Sequence, residues 1–228
     1  MTVHNSYDLM VVIDKLYQYL HRKGFRFDSS GFPVFEKSMF LSKWPNMVVP
    51  YSQRKNYRVT DKSKTVICFF DKDKNLYPRI AKVFDEIQEY QTFMGVVGLD
   101  ITITYDMDKE WQRLNTLANQ LFLAVLAVNN VKIVFNTRSG GLGCDEIFMN
   151  VPSNAICASG FLGCDLITAD YDFEYLEKIL YLLPAKLILY GKRDPKVEEQ
   201  LDYHGIDYKY YKDFHRLCQA KEVHYGRQ

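Results

Sequence analysis

The sequence predicts a single α/β domain with a mostly parallel sheet, and two features of its 228 residues carry this prediction. Short apolar runs that end in polar or glycine residues alternate along the chain with stretches of helical periodicity. No Gly/Ser-rich or Pro-rich linker divides the chain, so residues 1–228 are expected to form one domain, with an N-terminal helix over 1–24. Right-handed connections place successive strands side by side, which gives either an open doubly wound sheet or an incomplete, TIM-barrel-like (β/α) barrel.

The apolar runs and the stretches of helical periodicity predict the individual strands and helices. Apolar runs predict strands over 47–51, 65–70, 95–108, 131–135, 154–159, 186–190 and 206–211. Helical spacing predicts helices over 6–23, 77–92, 109–129, 171–183, 195–204 and from the last strand to about 222, with a further short helix as a candidate at 144–151. Pro50 cannot donate to a strand ladder, so we expect it at the end of the first strand.

Composition restricts the environment more than the activity. The formal net charge is +1, so no global positive field attracts nucleic acid. The five cysteines include no CxxC pair, the N-terminus shows no signal segment, and no run reaches membrane-spanning length. A cytoplasmic protein with reduced thiols and no membrane partner is expected. The chain holds 17 tyrosines and 15 phenylalanines, which suit a large-residue core or a surface that contacts a base or a protein.

The stretch from Val131 to Arg193 contains three consecutive strand ends, and parallel strands bring their carboxyl ends to one edge. We therefore predict a polar, anion-tolerant pocket there. The predicted ligand-binding residues are Asp100, Asp106, Asn136, Arg138, Ser159, Gly160, Tyr190 and Lys192. Arg138 precedes Ser139-Gly140-Gly141, a pattern that suits phosphate binding. The alternative is that the glycines serve a tight turn and that Arg138 pairs with an acidic neighbour.

Two further sets of charged residues have open interpretations. In an extended segment Asp100, Asp106 and Asp108 would share one face and could bind Mg²⁺, whereas Asp106 and Asp108 also suit helix caps. The segment 52–64 is the most basic, and its Arg54, Lys55 and Arg58 form either a solvated loop or a weak nucleic-acid-facing surface.

The recognised catalytic motifs are missing from the chain. It contains no GxSxG, HExxH, CxxC, Walker or GxGxxG pattern, and its five histidines have no metal-ligand spacing. We therefore expect no metal and no cofactor, and the sequence leaves open whether the protein is an enzyme.

Several segments together resemble a known family. IVFNTRSGGLGCDEIFMNVPSNAICASGFLGC, LLPAKLILYGK and GIDYKYYKDFHR, with MVVPY and GLDITITYDMD upstream, resemble the domain-of-unknown-function family number forty-four seventeen, which phages, plasmids and mobile elements carry. The resemblance covers residues 44–215 and leaves the N-terminal helix outside. It implies a phage or mobile-element protein acting in a bacterial host cell, and it implies no activity.

Three functions fit these observations. The first is an accessory protein that binds a host protein, with a role in counter-defence or replication. The second is an enzyme or sensor for a nucleotide or another phosphorylated small molecule, which would bind in the strand-end pocket. The third is direct DNA or RNA binding through the basic loop.

Overall fold

Seven parallel strands form one sheet in which each strand pairs with the next one along the chain. The computed structural model describes residues 5–104, 106–137, 148, 150–161 and 169–222. The strands are β1 (Met47–Pro50), β2 (Thr65–Phe69), β3 (Gly95–Leu99), β4 (Ile133–Asn136), β5 (Ile156–Phe161), β6 (Lys186–Gly191) and β7 (Tyr208–Lys212). The prediction of a single, mostly parallel α/β domain is confirmed, and Pro50 does end the first strand.

One described α-helix precedes the sheet, four lie between its strands and one follows the last strand. They are α1 (Ser6–Arg22), α2 (Asp73–Tyr90), α3 (Lys109–Val128), α4 (Ala169–Leu182), α5 (Pro195–Tyr203) and α6 (Phe214–Glu222). The candidate short helix at 144–151 falls largely outside the described residues. Among the helices that the structure describes, none is long and apolar enough to cross a membrane.

The sheet curls into a nearly closed barrel, and one aromatic contact demonstrates the curvature. Phe70 follows β2, and its ring stacks on Tyr190 of β6 with the ring centroids 5.7 Å apart. In a flat sheet these two strands would be separated by about 19 Å, because four strand spacings of about 4.8 Å lie between them. The contact therefore crosses the barrel interior. It selects the barrel over the open doubly wound sheet.

Strand residues alternate between two apolar clusters, one on each face of the curved sheet. The inner cluster receives side chains from all seven strands, together with Leu41 before β1 and Phe70 after β2. Its strand residues are Val48, Val66, Cys68, Val97, Val134, Ile156, Ala158, Ile188, Tyr190 and Tyr211. The outer cluster joins the remaining strand residues to the helices, including the stripe of α1 that contains Leu9, Val12 and Leu16. Burying both faces explains why the strands are continuous apolar runs in the sequence.

The segment before β1 covers the N-terminal end of the barrel. The backbone N–H of Leu41 donates to the carbonyl oxygen of Ile133 at the start of β4 (3.0 Å). Leu41 belongs to the inner cluster and Trp44 packs against that cluster. The ammonium group of Lys186, at the start of β6, lies 5.7 Å from the Trp44 ring centroid. Among the described residues, the apolar side chains of Leu41 and Trp44 thus cover this end of the barrel.

In the described part of the chain, β7 and β1 do not pair through backbone hydrogen bonds, which leaves a seam between them. Side-chain contacts bridge this seam. The Tyr211 hydroxyl of β7 donates to the carbonyl oxygen of Pro45 (2.7 Å). On the C-terminal side, Arg58 Nη1 donates to the carbonyl oxygen of Cys218 in α6 (3.0 Å). The barrel is therefore nearly, rather than fully, closed.

Gly160 provides a test of the barrel interior. A Cβ atom at this position would lie 2.5 Å from Phe70 Cγ, so Gly160→Ala must displace the ring that stacks on Tyr190. We expect a loss of about 1–3 kcal/mol in the free energy of unfolding, measured by urea titration. In a double-mutant cycle with Phe70→Leu, the two costs should be less than additive. Strictly additive costs would contradict this packing.

Candidate functional site

Polar side chains gather at the end of the barrel where the strands finish. We call this end the C-terminal mouth and define it by the inner-facing residues Phe70, Asp100, Asn136, Gly160, Tyr190 and Asp213. The inner layers below it are apolar. In (β/α) barrels the ligand and catalytic groups come from this end, because its loops vary without disturbing the closed sheet.

A β-bulge in β3 directs Asp100 into the mouth. In the pairing of β2 with β3, Ile67 is opposite Val96 and Phe69 is opposite Leu99, so β3 contains one extra residue. Regular alternation would place Leu99 on the inner face, like Val97, and Asp100 on the outer face. Leu99 instead belongs to the outer cluster and Asp100 faces Asn136. Bulges change the direction of side chains in this way and are common beside active sites.

Two asparagine side chains bond the backbone of Leu99 at the bulge. The Leu99 N–H donates to Asn119 Oδ1 of α3 (2.9 Å), and Asn136 Nδ2 donates to the Leu99 carbonyl oxygen (3.2 Å). Gly98 allows α3 to approach, since a Cβ atom there would lie 3.2 Å from Asn119 Oδ1. Two side chains thus bond the N–H and the carbonyl oxygen of Leu99 at the irregular position, which holds the bulge in place.

Asp100 and Asn136 form the polar centre of the mouth. Asn136 Nδ2 donates to Asp100 Oδ1 at 2.9 Å, and Asn136 is 1% exposed. A buried amide with fixed donors holds the carboxylate in one orientation. The sequence prediction named both residues, and the structure brings them into direct contact.

Tyr190 and Asp213 form a second polar pair beside the first. The Tyr190 hydroxyl donates to Asp213 Oδ1 (3.3 Å) and accepts from the Phe214 N–H (3.0 Å) at the start of α6. Burial raises the pKa of Tyr190, so the hydroxyl stays protonated and acts as a donor. This contact links β6 to the strand end of β7 and to the last described helix.

Cys68 lies below these two pairs in the inner cluster. Burial raises the pKa of its thiol, and the negative charges of Asp100 and Asp213 raise it further. A protonated, buried thiol is a poor nucleophile, so Cys68 packs as a small apolar residue. Burial likewise raises the pKa of Cys157, on the outer face, to about 12.

Ser159 faces the helices instead of the mouth. It lies between Ala158 and Gly160, which both face inward, so its hydroxyl points outward. There it forms hydrogen bonds with Thr137 and with the Tyr175 hydroxyl of α4 (2.7 Å). The structure therefore does not bring Ser159 to Asp100 and Asn136.

The structure does not gather the other predicted pocket residues into one site. Gly160 lies in the mouth, but it packs directly against Phe70. Asp106 and Lys192 are exposed, and Arg138 lies outside the described residues. The prediction that Asp100, Asp106 and Asp108 share one face is wrong, because β3 ends at Leu99, Asp106 lies in a turn and Asp108 caps α3 through its bond to the Glu110 N–H (3.0 Å).

The basic loop is attached to the barrel by its own cations. Arg54 Nη2 lies 3.1 Å from Glu89 Oε2 of α2, and its guanidinium group stacks 3.8 Å from the Tyr51 ring centroid. Lys55 reaches Glu89 at 3.6 Å. Arg58 donates to the Tyr57 hydroxyl (3.1 Å) and to the Cys218 carbonyl oxygen. These contacts connect the loop to α2 and α6.

Sequence reasoning missed Asp213, Asn119 and Phe70 as residues of this region. Asp213 directly follows β7, so the strand-end rule that selected Asn136 could have found it. Asn119 lies within a helix that reads as apolar and had no such signal. Among the described residues, no group of three or more His, Cys, Asp or Glu side chains could hold a metal ion.

The comparisons with known proteins give one match. The sequence profile of a family described as "Domain of unknown function (DUF4417)" matches residues 28–210. No curated protein and no solved structure matches the chain. The matched span contains β1 to β6 entire and the first part of β7, and therefore most of the C-terminal mouth.

Asn119 tests the support of the bulge. In Asn119→Ala the buried Leu99 N–H has no acceptor, so we expect a loss of about 1–3 kcal/mol in the free energy of unfolding and faster amide exchange at Leu99. Urea titration and hydrogen exchange measure the two effects. Asn75→Ala, the same truncation at an exposed position of α2, should change neither. Unchanged exchange at Leu99 in Asn119→Ala would contradict this role.

Arg193, a cation at the strand end of β6, gives a pH-dependent prediction. It forms two hydrogen bonds with Glu198 of α5, one of them 2.9 Å long, and lowers the pKa of that carboxyl below its ordinary value of 4.5. A carboxyl whose pKa is lowered on folding stabilises the protein at pH values above its ordinary pKa. This stabilisation is lost as the pH falls through the pKa of the folded state. Wild type should therefore exceed Arg193→Gln in urea midpoint at pH 7, and the difference should vanish in acid.

Lys196→Gln is the matched control for this pH series. Lys196 is an exposed cation of α5, the helix that contains Glu198. Its replacement by Gln changes the net charge as much as Arg193→Gln does, but leaves the hydrogen bonds to Glu198 in place. A difference between Arg193→Gln and wild type that persists at low pH would refute the ion pair as its source.

Proposed function

The chain belongs to the DUF4417 family of unknown function, and we propose that it binds a small polar ligand at the C-terminal mouth of its barrel. One observation carries the proposal. The hydrogen-bonded pair of Asp100 and Asn136 lies on the inner face of the sheet, above interior layers that are otherwise apolar. Asp100 is half-buried there, and a carboxylate that is partly removed from water above an apolar interior is more typical of a binding site than of a packing position.

The construction around Asp100 supports the same proposal. A bulge, a glycine and two asparagines combine to direct one carboxylate into the mouth. An apolar residue at that position would require none of them. Groups that hold a side chain in one orientation are characteristic of binding and catalytic sites, which need preorganised geometry.

The fold gives independent support by analogy. Ligands of (β/α) barrels bind at the C-terminal ends of the strands, and the N-terminal end of this barrel is filled by Leu41 and Trp44. Whether the bound molecule is also converted stays a separate question. Asp100 is the residue that would act as general acid or base in that case.

An accessory role through a host protein also remains a proposal, together with a phage or mobile-element origin and a bacterial cytoplasmic location. Exposed aromatic side chains favour protein contact, and Tyr7, Tyr57, Tyr181 and Tyr203 are among them. These four belong to α1, the basic loop, α4 and α5, so they do not favour one surface. Direct nucleic-acid binding is less favoured, because Arg54, Lys55 and Arg58 contact the protein itself.

Chemical-shift mapping by NMR tests the proposed function. The full chain is titrated with nucleotides, nucleosides, monosaccharides, polyamines and inorganic phosphate. We expect at least one compound to shift backbone amides at the mouth, above all those of Phe70, Asp100, Asn136 and Tyr190, while the amides of Leu41 and Trp44 at the opposite end stay unchanged.

The control uses a single carboxylate. Asp100→Ala should abolish the shifts, and Asp85→Ala, which removes an exposed carboxylate of α2, should retain them. No shifts with any compound, or shifts that Asp100→Ala leaves intact, would refute binding at the mouth.

A further inference from the structure

Six lysines lie at the end of the barrel opposite the C-terminal mouth, and we call the surface that they form the N-terminal face. Each belongs to the segment that covers this end before β1, or lies at or just before the start of a strand. They are Lys37, Lys43, Lys62, Lys132, Lys186 and Lys209. Parallel strands begin at the same edge of a sheet, so residues that are far apart in the chain share one end of the protein.

Backbone contacts hold these segments together. The Met94 N–H donates to the carbonyl oxygen of Lys62 (3.0 Å), and the Val96 N–H donates to that of Lys132 (2.9 Å). Lys132 Nζ in turn donates to the Ser38 carbonyl oxygen of the covering segment (2.5 Å). The starts of β2, β3 and β4 and the segment before β1 are therefore in direct contact, so their lysines belong to one surface.

Two of the lysines lie on the inner side of the sheet. Lys186 precedes Ile188 of the inner cluster by two residues, and its Nζ lies 5.7 Å from the Trp44 ring centroid. Lys209 precedes Tyr211 by two residues, and its Nζ lies 5.2 Å from the Tyr211 ring centroid. An aromatic ring attracts an ammonium group without neutralising it, so both positive charges persist at the face.

Carboxylates do not compensate the six lysines. Among the described residues, none of the six forms an ion pair. Of the carboxylates in the same segments, Glu36 pairs with Arg26 (3.5 Å) and Asp61 pairs with Lys64 (3.1 Å). Asp207, directly before β7, is exposed. The face therefore has an excess of positive charge.

The helix ends at this face do not cancel that excess either. α2, α3, α4 and α5 end here, shortly before the next strand begins, and each C-terminus carries only about half a negative charge. The whole chain has a formal net charge of +1. Positive charge is therefore concentrated at the N-terminal face and offset on the rest of the protein, which is the pattern of a surface for an anionic partner.

We propose that the N-terminal face binds the phosphate backbone of a nucleic acid without reading its sequence. All six cations are lysines, which bind phosphate as point charges, whereas the centres of protein–protein interfaces are depleted in lysine. Affinity grows with the number of contacted phosphates, so the face binds a polymer where it does not hold a mononucleotide.

This surface is separate from both sites considered above. It lies at the opposite end of the barrel from the mouth, so the inference does not depend on the proposed function. It also excludes Arg54, Lys55 and Arg58, the cations of the basic loop that contact the protein itself.

Fluorescence anisotropy of the full chain with a labelled duplex DNA and a labelled single-stranded RNA, both of arbitrary sequence, tests the inference. The salt concentration is varied between about 50 and 200 mM. We expect the logarithm of the association constant to fall linearly with that of the salt concentration. On duplex DNA the slope should be about −0.9 for each contacted phosphate, which gives up to about −5 for six lysines. The two probes distinguish DNA from RNA as the source of the backbone.

Two double variants remove lysines from different parts of the face. Lys37→Gln/Lys43→Gln changes the exposed segment before β1, and Lys186→Gln/Lys209→Gln changes the two inner-facing strand positions. Each should make the slope on duplex DNA shallower by about 2, because each lost lysine removes about one phosphate contact. Circular dichroism confirms that both variants are folded.

Lys74→Gln/Lys196→Gln is the matched control. These exposed lysines lie in the first turns of α2 and α5, on the side of the mouth. The control removes the same net charge as each double variant and should leave the slope unchanged. An equal reduction of the slope in the control would show that overall charge, and not the N-terminal face, causes the binding.

Three further results would overturn the inference. The first is no binding of either nucleic acid at about 50 mM salt. The second is a slope that both double variants of the face leave unchanged. Phosphatidylserine vesicles and polyglutamate provide the third test, because Leu183 and Tyr203 are also exposed at this end and could contact a membrane or a protein. If either binds as tightly as the nucleic acids, the assigned partner is wrong.

Discussion

The stacking of Phe70 on Tyr190 across the barrel axis is the contact on which the rest of the structure depends. It joins β2 to β6 through the interior, which a flat sheet would keep far apart. Gly160 provides the space for the Phe70 ring, and alternate residues of all seven strands fill the layers below. Leu41 and Trp44 cover the N-terminal end, and the polar pair of Asp100 and Asn136 lies at the C-terminal mouth.

A second constraint operates at the end of β3, where the sheet geometry alone would turn Asp100 toward the helices. The extra residue in β3 reverses the alternation and exchanges the positions of Leu99 and Asp100. Asn119 and Asn136 then bond the N–H and the carbonyl oxygen of Leu99. The apolar packing of Leu99 and the presentation of Asp100 are therefore two consequences of one irregularity.

The hydrogen bonds of the mouth show which donor groups the protein uses for its own contacts. Amide and hydroxyl side chains can both donate and accept hydrogen bonds, and only their partners in the structure determine which groups they use. Asn136 and Tyr190 direct their donors to protein oxygens, while Asp100 and Asp213 contribute acceptor atoms.

Local periodicity predicted most of the elements because each strand is a short apolar run buried on both faces. The seven predicted strands all occur, and the prediction for β3 was wrong in its C-terminal half. The run GVVGLDITITYDMD alternates as an exposed strand would, but Thr102 donates from its backbone N–H to Asp73 Oδ1 (3.0 Å) and not to a neighbouring strand. A pattern of alternating residues indicates extended backbone without showing whether a partner strand continues beside it.

The sequence by itself determined the order of strands and helices, the parallel sheet and the edge where polar side chains collect, since all of these follow from periodicity and short right-handed connections. Only the tertiary structure decided that the sheet closes, that Ser159 faces the helices, and that Asp100 meets Asn136 in the mouth. These outcomes depend on contacts between residues far apart in the chain, such as Phe70 with Tyr190 and Leu99 with Asn119. A window of neighbouring residues contains no information about such contacts.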